Sequence, residues 1–192
     1  MESLKERLAV LETRLTTPGE MIGNYPDLPF AIFWYRPGTE WALRDEVRLL
    51  AVRVREKTGK GVEVISLAEL LWEAIDESVG VEALAEAERD VGFGRTQDTV
   101  HSILTRDRPL PELLSGRMAD LSPDRHIVLL TRAAAFAPTI YQMSALLEQL
   151  AAQQVRVPTV LFYPGGRDGP TTLTFMELRE REAMGNYFVP IY

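Results

Sequence analysis

The chain contains no cysteine. Disulfide staples, thiolate nucleophiles and cysteine-ligated zinc are therefore excluded, and a reducing compartment fits. Histidine is nearly absent as well. His101 and His126 stand far apart in no ligand spacing, so a structural or surface role is expected of both. Long apolar runs are missing: stretches such as Ile127 to Leu130 fall far short of the roughly 20 residues that cross a bilayer. The charged opening from Met1 to Arg14 has no apolar core of a signal peptide, so a soluble, cytoplasmic protein with no membrane association is expected. Positive charge is scarce too, with a net charge of -7, which argues against direct nucleic-acid binding. Lysine occurs only at positions 5, 57 and 60, and arginine supplies the remaining basic residues. No Gly-Lys-Ser/Thr occurs, so a P-loop is excluded. No G-x-S-x-G elbow occurs either, and Ser144 falls mid-helix, which leaves a Ser-His-Asp hydrolase unsupported.

What is present reads as one α/β domain spanning residues 1–192, with 46% hydrophobic and 26% charged residues. Leu4, Leu8, Leu11 and Leu15 recur at helical spacing and predict an amphipathic opening helix over residues 1–16. That stripe suits either the chain's own core or a partner, and core packing is the commoner fate. Phe30 to Tyr35 is near-continuously apolar, as in a strand covered on both faces. Arg36-Pro37-Gly38 breaks it, with one glycine and no following lysine where a nucleotide-binding fold would carry its phosphate loop. A helix over about Thr39 to Thr58 follows, then a strand over Val62 to Ile65, and Ser66 with Glu69 matches a capping box for the next helix. Residues 76–121 show no strand pattern and predict a charged helical insert, the part of the chain with the least obligation to the core. Ile127 to Thr131 returns to a buried strand, and Pro138 stands near the start of a helix whose core face holds Ile140, Met143, Leu146, Leu147 and Leu150. Leu173 to Phe175 and Tyr187 to Tyr192 are candidate edge strands, where Pro190 is harmless. The expected fold is thus about four mostly parallel strands flanked by helices, with short C-terminal edge strands. It is a P-loop-like scaffold without its phosphate loop.

The chain is organised around Val157 to Phe175. Thr159 to Tyr163 predicts a buried strand that ends in a turn at Pro164-Gly165. Gly165, Gly166 and Gly169 give the following loop backbone freedom, and Asp168 is its only carboxylate. Two readings stay open from residue chemistry: a Gly-rich turn in which Asp168 bonds its own backbone, or a loop that displays Arg167 and Asp168 for use. A metal site joining Asp168 to Asp27, Asp120 or Asp124 also remains open, since sequence does not fix their geometry.

Phe162-Tyr163-Pro164-Gly165, followed by Asp168-Gly169 and Leu173 to Phe175, resembles the signature of the BrxB family of bacteriophage-exclusion (BREX) defence systems. Thr131 before Pro138, Leu146-Leu147 with Leu150, the early Pro29-Phe30 and Ile32-Phe33, and the late Asn186-Tyr187 stand in the same order as the family's marks. The chain departs from the pattern where the family tends to carry glycines and an arginine. Ala133, Ala134, Ala135 and Tyr141 take those places, and Phe188-Val189-Pro190 replaces a basic residue. The resemblance implies a non-enzymatic interaction or regulatory subunit of a phage-defence system, bound to a PglZ-type protein and to other BREX subunits. It also implies a partner-binding or structural loop made of Tyr163, Pro164, Gly165, Arg167, Asp168 and Gly169, with no catalytic residue, cofactor or metal assigned. A metal-dependent phosphodiesterase or nuclease using Asp168, and a small-ligand sensor using the same loop, are the alternatives.

Overall fold

The computed structural model describes residues 3–25, 27–167, 169, 172–178 and 189–192, without the side chain of residue 144. Its centre is a parallel sheet of β1 (Phe30–Tyr35), β2 (Gly61–Ser66), β3 (His126–Thr131) and β4 (Thr159–Arg167) in the order β1-β4-β3-β2. The first strand thus lies beside the fourth, with Phe30 opposite Thr159 and Tyr35 opposite Pro164. A short β5 (Leu173–Phe175) runs antiparallel to the far end of β4. Residues 190–192 lie parallel along the outer edge of β1: the Ile32 N–H donates to the Pro190 carbonyl at 2.9 Å, and the Tyr192 N–H donates to the Ile32 carbonyl at 2.9 Å. The expected edge strand is therefore present over this part, whereas Tyr187 and Phe188 lie outside the described residues, as does Asn186.

Side chains alternate across the sheet, so each strand supplies two cores. On one face Ala31, Phe33, Val62, Leu129, Val160 and Phe162 meet α1 (Leu4–Thr16) and α2 (Glu40–Thr58). Leu8 and Leu11 of the opening stripe are fully buried there and Leu4 and Leu15 pack against them, so the stripe serves the chain's own core. On the other face Phe30, Ile32, Val128, Leu130, Leu161 and Tyr163 meet α3 (Leu67–Ser78), α5 (Phe93–Ser102), α6 (Leu110–Met118) and α7 (Met143–Ala152). The crossover from β1 to β2 runs on the first face and the return through β3 to β4 on the second, as right-handed connections in opposite directions require.

Three expectations need correction. The strand that was expected to stop at Pro164-Gly165 continues to Arg167. Pro164 is tolerated because it lies where β4 leaves β1 for β5, and its carbonyl accepts the Met176 N–H at 2.9 Å. The helical segment 76–121 is not light on core duty, since Val100, Ile103, Leu104, Leu110, Leu114 and Met118 are buried. Only α4 (Val81–Val91) has no buried residue. α5 and α6 complete the core that α3 and α7 build on the second face of the sheet, which is why this charged stretch still carries an apolar stripe. Finally, the helix expected from near Pro138 starts later, and Ile140, expected on its core face, precedes it and is exposed. A 3-10 turn over Ala133–Phe136 comes first, and α7 begins at Met143.

Candidate functional site

The hairpin between β4 and β5 divides its residues into a buried base and an exposed rim. Tyr163 is 1% exposed, with its ring edge-on to Phe175 at 5.5 Å. Pro164 and Gly165 are buried behind it. Gly165 owes its identity to close approach: a Cβ there would stand 2.1 Å from the Thr174 carbonyl oxygen. Gly166 has no such neighbour, its nearest being Glu177 Cγ at 3.6 Å. Arg167 and Gly169 are exposed, Gly169 in the left-handed region at φ +101°, and the Arg167 Nε–H donates to the Gly169 carbonyl at 2.9 Å. Asp168 lies outside the described residues. Of the loop read from sequence, then, Tyr163, Pro164 and Gly165 hold the hairpin, and Arg167 and Gly169 face solvent.

The rim opens on a cleft of about 600 Å³ at the carboxyl ends of β1 and β4. Trp34, Tyr35 and Arg36 close the end of β1, Arg167 that of β4, and Leu4, Arg7 and Val10 come from α1. Arg7 is the keystone: its Nη2 donates to the Trp34 carbonyl at 2.5 Å and the Tyr192 carbonyl at 2.7 Å. Its guanidinium also lies 4.1 Å from the Trp34 ring centre and 4.8 Å from that of Phe33. It therefore ties α1, β1 and residue 192 together. The Tyr35 hydroxyl donates to the Glu40 carboxylate, which also takes the Arg44 Nε–H at 2.8 Å. Burial first, then that bond to Glu40, push the Tyr35 phenol far above its ordinary value, so it stays a neutral donor.

Arg7 and Arg36 were not singled out from sequence as site residues. Arg7 sits on an amphipathic helix where charge reads as a solvated flank, and Arg36 read only as the end of a strand. Their meeting with Arg167 depends on β1 and β4 being neighbours, which chain order hides behind two intervening strands. The carboxylates weighed for a metal do not join this edge. Asp27 precedes β1, and Asp120 and Asp124 precede β3, at the amino ends of the parallel strands, whereas Arg167 and Gly169 stand at the carboxyl end. Six strand residues separate the two edges by roughly 20 Å. Among the described residues no group of three or more His, Cys, Asp and Glu is placed to hold a metal. His126 accepts the Ser122 N–H at Nδ1, 3.0 Å away, at the start of β3. Tyr141 is 3% exposed, and its hydroxyl has no hydrogen-bond partner among the described residues. No helix among the described residues is long and apolar enough to cross a membrane.

A family model described as "BREX protein BrxB" matches residues 63–188, well over half of the chain. A "BREX protein BrxB" from Bacillus cereus (strain H3081.97) is 24% identical over 182 residues, covering 94% of this chain and 94% of its own. No solved structure matches. The matched region takes in β3, β4 and β5, and the chain belongs to the BrxB family.

Proposed function

We propose that this chain is a non-enzymatic component of a BREX-type phage-defence system, acting in the cytoplasm. It binds a PglZ-type protein through the exposed rim of the β4–β5 hairpin, and through that protein joins other BREX subunits. Family membership supports the system. The observation that carries the binding surface is the division of the hairpin: a buried, glycine-dependent base holds Arg167 and Gly169 out at the carboxyl edge of the sheet. Loops at that edge of an α/β sheet are where ligands and partners are usually met, and an arginine already held, as Arg167 is by the Gly169 carbonyl, loses less freedom on docking. Asp168, between the two exposed residues in sequence, completes the proposed docking surface.

Co-purification with the PglZ-type protein tests this. The wild-type chain is expected to form a stable complex, and an Arg167→Ala/Asp168→Ala double variant with unchanged thermal stability is expected to lose it. A complex that survives in the double variant overturns the rim as the interface. No complex with the wild-type chain overturns the partner.

A further inference from the structure

We propose that the outer edge of β2 pairs with the same edge of a second copy of this chain, antiparallel and centred on Val64. The two edges of the main sheet differ. Residues 190–192 cover the outer edge of β1, whereas no described strand pairs with the outer edge of β2. An open edge is a template for another strand. The ladder fixes which groups it presents. The Gly61 N–H donates to the Arg125 carbonyl at 2.8 Å, so Gly61, Glu63 and Ile65 turn their backbone groups toward β3. The Thr131 hydroxyl, donating to the Ile65 carbonyl at 3.3 Å, agrees. Val62, Val64 and Ser66 therefore point theirs outward. The Val62 carbonyl takes the Arg55 Nη2 at 3.1 Å and Ser66 is the N-cap of α3, which leaves the Val64 N–H and carbonyl as the open pair.

An extended peptide gains little from so short an edge, because its affinity comes from a run of main-chain bonds. A second copy gains side-chain contacts on both faces as well. A two-fold axis at Val64 sets each Val64 against its counterpart, each N–H donating to the other's carbonyl. Val64 is 46% exposed and lies on the α2 side of the sheet with Val62, so two valine side chains meet there. On the other side Glu63 comes opposite Ile65 of the second copy. A groove of about 210 Å³ beside Ile65 is also lined by Arg117 and Leu121. Glu63 is exposed and has no ion pair among the described residues, and Arg117, which holds Glu73, is exposed as well. The two-fold thus brings each Glu63 toward the other copy's Arg117, and opposite charges across paired strands favour that register. Glu69, which shares the groove, is turned to Arg132 Nη1 at 3.4 Å. β3 stands between this edge and β4, so the dimer contact is separate from the hairpin rim.

Sedimentation velocity of the full chain over a rising concentration series tests the pairing. The wild type is expected to shift from monomer to dimer. Val64→Pro removes an outward N–H and leaves the β2–β3 ladder intact, which an edge position tolerates, so it should stay monomeric with an unchanged melting temperature. Val64→Lys sets two like charges face to face and should also stay monomeric. Should Val64→Pro fail to fold, Val64→Lys alone decides. Amide exchange read by NMR locates the contact. The Val64 amide should slow several-fold between dilute and concentrated protein, more than those of Glu63 and Ile65, which already bond to β3. A wild type that stays monomeric throughout the series overturns the second copy. A dimer that survives the Val64 substitutions, or one that leaves Val64 exchange unchanged, overturns the β2 edge.

Discussion

Gly165 and Gly166 are adjacent glycines on one strand, yet only the first is irreplaceable. A methyl at Gly165 runs into the backbone of β5, whereas one at Gly166 meets only the flexible end of Glu177 in ordinary contact. Gly165→Ala should cost about 1–3 kcal/mol, the usual range for forcing extra volume into a packed site. Gly166→Ala should change stability by no more than about 0.5 kcal/mol. Thermal unfolding of the two variants checks this, and equal losses would contradict it. The sequence marks Gly165 as special for a different reason, backbone freedom. The real one, closeness of a second strand, is a tertiary fact that no local pattern carries. Arg132 shows the converse. It adopts a left-handed φ of +61° right after β3. Glycine would take that turn without the steric cost an arginine meets there.

Among the elements, α1 and α2 share a buried carboxylate. Glu12 is 8% exposed and accepts from Arg53 Nε at 2.7 Å and Lys57 Nζ at 2.6 Å, joining α1 to α2. Burial opposes its ionisation, but the bonds and charges of Lys57 and Arg53 outweigh that and hold its carboxyl below the ordinary carboxylate value. A depressed folded-state pKa stabilises the fold above the unfolded-state value, and the contribution fades as pH falls through the folded one. Glu12→Gln should therefore cost about 1–3 kcal/mol at pH 7. Its gap from wild type should close as the pH drops below the carboxylate range, as acid unfolding curves of the two proteins would show. A gap independent of pH would contradict this role. The leucine stripe of α1 was legible in sequence, but its ionic tie to residues some forty positions away was not. The strands were likewise legible from their apolar runs. The end of β4 was misread because proline and glycine mark turns in isolation, whereas here the change of partner from β1 to β5 makes both useful inside a strand.

For the whole molecule, the strand order β1-β4-β3-β2 decides what works together. It brings the ends of the first and fourth strands side by side, closes the outer edge of β1 with residues 190–192, and leaves the carboxyl edge with an arginine cleft beside an exposed hairpin rim. The α/β class could be read from alternating strands and helices. The neighbourhood of β1 and β4 could not, because adjacency in a parallel sheet is set by which crossovers bury which faces. The main competing surface is α4, which buries no residue and exposes Val81 and Val91, with Phe93 following at 54% exposure. Amide hydrogen exchange of this chain, alone and bound to the PglZ-type protein, tests the carboxyl edge as the working face most directly. The account predicts added protection across the β4–β5 hairpin. Protection confined to α4, with the carboxyl edge exchanging as in the free chain, would contradict it.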